Sequence, residues 1–453
     1  MPPSAGWNTE EKEFGGSRFG WMLVGVLASL LGIGMALAGV LGSYGRVDVP
    51  ASVAYIGADG PCDGAAECIG RHSFGDYVVI HFASPTSEPT SQEAVYPASS
   101  RLLRLPFHLI ERAWGYSAGL WAYLITSALC LLAPIIWAVR RVPWVGRVAV
   151  ISVAGVATAP AMFALDRGNT VALLVPLLFG FVMGVLRDRP WLAAVMIVVA
   201  ATVKPHYALL FLALVAMRAW KPAAVAALGS LVAVVLPFLL YGAGLVAGTE
   251  AWVRNARAWA GSGTLSQPWP VNGSFSRALY WAIHRVPGVR ESSLGHMSDS
   301  AYVTISFVFL ALVTAVVIIA GKALPRLAIA ALAVAIVSLA LPISYGYYFV
   351  FALPLVAIAF RTGLGNWPTA RRFDKALVIV FAVALVASLT PILIPVSRRV
   401  EVAPGTLVVG SFLPLVATCA WAVFAVLLAS SGAASARVRF GRGRRITAEV
   451  EGA

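Results

Sequence analysis

Apolar runs of about 20 residues recur along most of this chain, parted by short turns that hold its charge. A run of that length crosses a bilayer as a helix, a form that bonds every backbone N–H and C=O internally. With 59% of its residues hydrophobic, 12% charged and a mean hydropathy of +0.83, a soluble core of 453 residues could not hide that surface. The expected fold is therefore an all-α polytopic membrane protein. A net charge of +14 could speak for nucleic acid, but the basic residues gather in the turns between runs and in the tail. That clustering is the positive-inside pattern, so membrane lipids and not nucleic acid are the expected surroundings.

Residues 1–18 form a polar head, expected to be disordered and cytoplasmic. The first span runs from about Trp21 to Ser43, lacks a small-residue cleavage site and reads as retained. An outer loop, 44–117, leads to a second span that ends at Arg140, Arg141 and Arg147. Later spans are bounded by Asp166-Arg167-Gly168-Asn169, by Arg187-Asp188-Arg189-Pro190 and by Lys204-Pro205-His206. The stretch Tyr207 to Met217 is short for a crossing and reads as a half-helix or part of a broken one. A span from Pro222 to about Ala247 precedes a second outer loop, 248–300, rich in Trp, Arg, Gly and Ser. Three spans follow, then two near Ala376 to Pro395 and Thr406 to Leu428, and a basic tail, 430–453. With both termini and the dense arginine turns in the cytoplasm, 19–429 forms one transmembrane unit of about twelve crossings. Both long loops and the turns at Asp166, Lys204 and Tyr345 then share the outer side.

Polar residues collect on that side. Asp76 can act as a general base toward an attacking hydroxyl; the plainer reading is a cap or a loop turn. Asp59, Asp63 and Glu67 lie in a Gly/Pro/Cys stretch and read as solvated loop charges. After Tyr96-Pro97 comes a helical pattern in which Leu102, Leu103, Leu105, Phe107, Leu109 and Ile110 interleave with Arg101, Arg104 and Arg112. It suits a helix in the headgroup layer, its arginines turned toward lipid phosphates. Arg167 and Lys204 are cations where positive charge is disfavoured. Each either snorkels to headgroups or, on the sharper reading, clamps a phosphate. His206 adds a donor or caps a broken helix. Asn272-Gly273-Ser274 matches a glycosylation acceptor, though a loop turn or a substrate contact fits as well. Tyr345, Tyr347 and Tyr348 suit an aromatic belt or a stack against a sugar ring. Cys62 and Cys68 share the first outer loop and can bridge in an oxidising compartment, whereas Cys130 and Cys419 read as packing residues within spans. No Cys/His or Asp/Glu spacing calls for a metal.

The order of these motifs resembles glycosyltransferase family 87, of the GT-C class. Gly75-Asp76-Tyr77 follows the first span, Tyr96-Pro97 precedes the interfacial helix, and Arg167-Gly168-Asn169 heads a later span. Lys204-Pro205, Asn272-Gly273-Ser274 and Ser344-Tyr345-Gly346-Tyr347-Tyr348 then follow in turn, so the likeness covers roughly Trp21 to Leu428. The family includes polyprenol-phosphate-mannose-dependent mannosyltransferases. The resemblance implies a GT-C-like bundle in the plasma membrane with an extracytoplasmic interfacial helix. It further implies transfer of a sugar, mannose by expectation, from a polyprenyl phosphate to a glycolipid or glycan acceptor. Asp76 is the implied base, with Arg167, Asn169 and Lys204 near the donor. Beside them, His206 is assigned to the donor phosphate, and Tyr96, Arg101, Asn272, Tyr345 and Tyr348 to substrate. The lipid-linked donor is a co-substrate; neither cofactor nor metal is expected. The chain departs from the family at Tyr345 to Tyr348, where many members read Ser-Trp-x-His, so no second catalytic group is implied at that turn.

A transporter or lipid flippase is the competing reading, because broken helices and intramembrane charges also serve alternating access. Against it, the polar groups crowd one face rather than the midplane. Thiol alkylation tests the side of the first loop: the expected result is no labelling of Cys62 or Cys68 before reduction and labelling of both after it. Labelling of both without reductant would contradict a bridged, external loop.

Overall fold

A computed structural model describes residues 16–45, 76–77, 96–240, 244–262, 272–286, 288, 290–293, 295–363, 372–392, 395–403 and 406–451. Cys62 and Cys68 lie outside the described residues. Helix α1 (Arg18–Gly45) is followed by α2 (Ala98–Leu102), α3 (Leu105–Trp114) and α4 (Tyr116–Val139). Next come α5 (Trp144–Ile151), continued by a π-helical turn to Val156, then α6 (Ala159–Arg167), α7 (Val171–Leu186) and α8 (Pro190–Val203). A 3-10 segment, Pro205–Leu210, leads into α9 (Phe211–Ala216), α10 (Trp220–Val235), α11 (Leu245–Ser262) and α12 (Phe275–Arg285). After α13 (Asp299–Ala320) and α14 (Arg326–Leu339), a second 3-10 segment, Gly346–Phe351, runs into α15 (Ala352–Thr362). The last elements are α16 (Arg372–Leu389), an antiparallel hairpin of β1 (Pro395–Ala403) and β2 (Thr406–Ser411), and α17 (Leu413–Glu451).

The protein is an all-α polytopic membrane protein with one small hairpin among its described residues. Among the described residues, five helical stretches are long and apolar enough to cross a bilayer: Arg18–Ser43, Tyr116–Val139, Trp220–Leu240, Asp299–Ala320 and Leu413–Ala434. The segment Trp144–Val156 with α6, bent by 62° at their junction, makes a sixth if the pair is one span. Six further apolar helices are 10–17 residues long. Length alone thus supports five or six crossings rather than the expected twelve. The short helices stop where the sequence breaks them, at Gly168, at Lys204-Pro205 and in the turn before Gly346.

A bilayer is written into the packing. At most 39% of the apolar window of any long span is buried within the protein. Trp121, Leu228, Leu312, Ile319 and Ile379 stand exposed on the flanks. Three of the shorter helices, α7, α14 and α15, fill the middle instead, and every residue from Ala352 to Phe360 of α15 is buried. One apolar cluster runs through the whole bundle, from Leu23 in α1 to Leu428 in α17.

Two expectations are corrected. Two of the three arginines of the interfacial stretch do not face lipid phosphates: Arg101 is 3% and Arg104 8% exposed, while Arg112, Leu102, Leu105 and Leu109 point outward. The stretch is two short helices, with Pro106 in the first turn of the second, and Arg101 and Arg104 turn inward where polar and aromatic groups can hold them. The last span does not begin at Thr406 either. Thr406–Ser411 is a strand paired with Pro395–Ala403, as its β-branched Thr406, Val408 and Val409 favour, and the helix begins at Leu413.

The start of α1 is fixed to the core. The Ser17 N–H donates to the Phe360 carbonyl (2.7 Å) and its hydroxyl to the Ala359 carbonyl (2.7 Å), while that hydroxyl accepts from the Gly20 N–H (3.0 Å). Gly20 lies so close to the Phe360 backbone that no side chain fits, the small-residue contact by which membrane helices approach. Gly20→Val should therefore lower stability by on the order of 1–3 kcal/mol in thermal unfolding. Gly25→Val, whose side chain meets open space, is the neutral control.

Candidate active site

The site is assembled from the places where helices break. The first break closes α6. Gly168 adopts a left-handed conformation (φ +61°), and the N–H groups of Gly168 and Asn169 turn back to the carbonyls of Leu165 and Ala164, each at 3.0 Å. Tyr123, fully buried in α4, donates its hydroxyl to the Gly168 carbonyl (3.0 Å). Asn169 then accepts the Val171 N–H at its Oδ1 (3.0 Å), which leaves its Nδ2 to donate to Asp76 Oδ2 at 2.6 Å. Arg167 reaches the other oxygen of Asp76 at 3.4 Å. The two side chains of this ion pair are 11% and 16% exposed, so it is largely screened from solvent. Donors on both oxygens fix the carboxylate plane and leave lone pairs for a further hydroxyl.

The second break lies at Lys204, which is extended (φ −144°) between α8 and the 3-10 segment; Pro205, after it, has no N–H to give. Lys204 is 7% exposed. Its Nζ lies 4.9 Å from the centre of the Tyr96 ring and 5.1 Å from that of Tyr348. Each ring face attracts the ammonium by about 0.5–2 kcal/mol, which offsets only part of the water it has lost. Ser99 of α2 donates to the Thr202 carbonyl (3.0 Å) and so brings the Tyr96–Leu102 stretch against this break. Burial raises the Tyr96 hydroxyl pKa far above its usual value, with the Asp76 charge acting in the same direction, so this tyrosine stays neutral.

The third break precedes Gly346. Tyr345, Tyr347 and Tyr348 follow one another with ring centres 5.4 and 5.1 Å apart, and Tyr348 continues to His206 at 5.9 Å. His206 also lies 4.7 Å from Tyr207, whose hydroxyl bonds Ser338 of α14 at 2.9 Å. Asn272 fastens this turn. Its Oδ1 accepts from the Ser274 and Ser344 N–H groups, both at 3.0 Å, and its Nδ2 donates to the Pro342 carbonyl (2.9 Å). At 8% exposure, Asn272 is enclosed rather than presented for glycosylation; it holds the turn that carries Tyr345 and Tyr348.

Asp76, Arg167, Asn169, Lys204, Tyr96, Tyr348 and His206 are thus brought into one cluster, with Tyr345 at its edge. Arg101 is buried on α2. Two members escaped sequence reasoning. Arg104 lies 5.9 Å from the Tyr96 ring and 5.7 Å from the Tyr123 ring, and burial lowers its pKa against the pull of Tyr123, Tyr96 and Asp76. Its place one helical turn after Arg101 was the available signal. Tyr123 offered only one hydroxyl among several in its span, with Thr126 and Ser127 close by. Among the described residues, no three His, Cys, Asp or Glu side chains meet.

Fold and site together define a multi-pass membrane protein with an orientated carboxylate and buried cations at its helix breaks. Residues 94–342 match the pattern of glycosyltransferase family 87, and the chain belongs to that family; it is a glycosyltransferase. Neither a curated protein nor a solved structure matches it. The matched segment contains Tyr96, Arg104, Arg167, Asn169, Lys204, His206 and Asn272. Asp76 precedes it and Tyr345 and Tyr348 follow it, tied to it by the contacts above. Gly168→Ala tests the first break: the left-handed residue should cost about 1–2 kcal/mol, read as a lower unfolding midpoint, and should weaken transfer by displacing Asn169.

Proposed function

We propose that the enzyme moves a sugar, mannose by expectation, from a polyprenyl phosphate to a glycolipid or glycan acceptor on the outer side of the plasma membrane. Both termini are then cytoplasmic. The observation that supports this reading most is Asp76, held at both oxygens by Asn169 and Arg167 within electrostatic reach of the buried Lys204. A general base needs a fixed carboxylate, and a departing lipid phosphate needs cations that water does not screen.

In the proposed reaction an acceptor hydroxyl gives its proton to Asp76 while its oxygen attacks the anomeric carbon. The bond from that carbon to the phosphate oxygen breaks on the opposite side, so configuration inverts. Lys204, Arg167 and His206 face the phosphate, and Asn169 keeps Asp76 in line. Tyr348 and Tyr345 offer ring faces to the sugar. Membership of a glycosyltransferase family weighs against the transporter reading. Purified protein in lipid, given a radiolabelled polyprenyl-phosphate sugar and glycolipid acceptors, tests the proposal. Asp76→Asn should reduce transfer by about 10²–10⁴, whereas Asp63→Asn should leave it intact. Undiminished transfer by Asp76→Asn would remove the proposed base.

A further inference from the structure

Arg104 is the residue before the first turn of α3 and is 8% exposed. Its Nε, Nη1 and Nη2 are all shut away from solvent, and none has a hydrogen-bond partner among the described residues. Its close neighbours include two rings, Tyr96 and Tyr123, at 5.9 and 5.7 Å from Cζ. A ring attracts the cation to its π face but provides no lone pair for the N–H donors, which fan out in the guanidinium plane. Burying such a group without acceptors is strongly unfavourable. The carboxylate of the site does not supply them: Asp76 bonds Asn169 and Arg167, and no N–H of Arg104 reaches it. Lys204 makes the imbalance larger: it rests on the same Tyr96 ring, and the two cations repel. Among the described residues, the cluster therefore carries more buried positive charge than its carboxylate neutralises.

A site built this way is complete when a ligand brings the missing acceptors. We infer that Arg104 is an anion receptor whose N–H fork takes two oxygens of the phosphate that leaves as polyprenyl monophosphate. This rests on the glycosyl-transfer reading and assigns it a residue beyond the Lys204 and Arg167 pair. When the bond between the anomeric carbon and the phosphate oxygen breaks, both electrons stay with that oxygen, and the acceptor's proton goes to Asp76. A diester carrying about one negative charge becomes a monoester carrying up to about two. Arg104 and Lys204 together match the later charge better than the earlier one, so they favour the transition state and the product over the donor. Tight retention of polyprenyl monophosphate, and product inhibition by it, follow.

The test uses the full chain in nanodiscs of zwitterionic lipid, with thermal unfolding and binding as readouts. The probes are a short-chain polyprenyl monophosphate, inorganic phosphate and phosphatidylglycerol. Without ligand, Arg104→Gln should unfold no lower than the wild type, since it removes an unpaired buried charge. The same variant should bind polyprenyl monophosphate on the order of ten- to a hundredfold more weakly, and Arg104→Lys should fall between. Inorganic phosphate should protect the wild type only at higher concentration, with the same dependence on Arg104. Asp76→Asn should keep this binding while losing transfer, so the two proposals fail separately. Unchanged monophosphate binding by Arg104→Gln overturns the inference. So does a ligand-free Arg104→Gln that is destabilised and rescued by Lys, which would make the cation structural. Equal protection by phosphatidylglycerol overturns it too, by pointing to a phospholipid headgroup site.

Discussion

A helix that breaks inside a bilayer frees backbone N–H and C=O groups that lipid cannot satisfy. In this protein each break is closed by a particular side chain, and those side chains and their neighbours make the site. The Tyr123 hydroxyl takes up the Gly168 carbonyl, and Asn169 folds back on the Val171 N–H. Around the third break, Asn272 and Ser274 share the Pro342 carbonyl while the Ser344 hydroxyl returns to the Ser338 carbonyl (2.8 Å). Polar residues are unfavourable in the apolar body of the bundle, so they concentrate where such closures are needed. The three breaks then bring Asp76, Lys204 and the tyrosine turn together.

Charge balance decides what such a cluster can do. One carboxylate, Asp76, is shared by Arg167 and Asn169, whereas Lys204 and Arg104 have mainly ring faces for company. Aromatic faces stabilise a cation weakly compared with water or a carboxylate, so the surplus persists in surroundings of low polarity. There an incoming anion is attracted far more strongly than it would be at the surface. A lipid-borne phosphate can reach such a site from the membrane and need not enter water. The electrostatics and the location therefore both favour the lipid-phosphate donor proposed above.

Composition and periodicity made the fold class legible, because an apolar residue on a lipid-facing helix is recorded locally, at its own position. The candidate residues that meet were legible for a related reason. Arg167 and Lys204 are polar residues at the ends of apolar runs, where they require explanation, and Asp76 stands beside aromatic residues in the loop after the first span. What stayed hidden depends on closure in three dimensions. Arg104 sits in a pattern that looks interfacial, and only its burial between Tyr96 and Tyr123 separates it from the exposed Arg112. Asn272 read as a loop asparagine because its partners, Pro342 and Ser344, lie far along the chain. The hairpin was hidden by composition: Thr406-Leu407-Val408-Val409 is apolar enough to pass as the beginning of a span.

The proposed reaction requires the lipid-linked sugar to meet the acid at these helix breaks, and a structure of the full chain in lipid with donor and acceptor bound tests that most directly. It should have the phosphate in direct contact with Lys204 and the acceptor hydroxyl about 2.6–3.2 Å from an Asp76 oxygen. A donor seated at another face of the bundle, with Asp76 still closed on Asn169 and Arg167 and no hydroxyl beside it, would contradict the account.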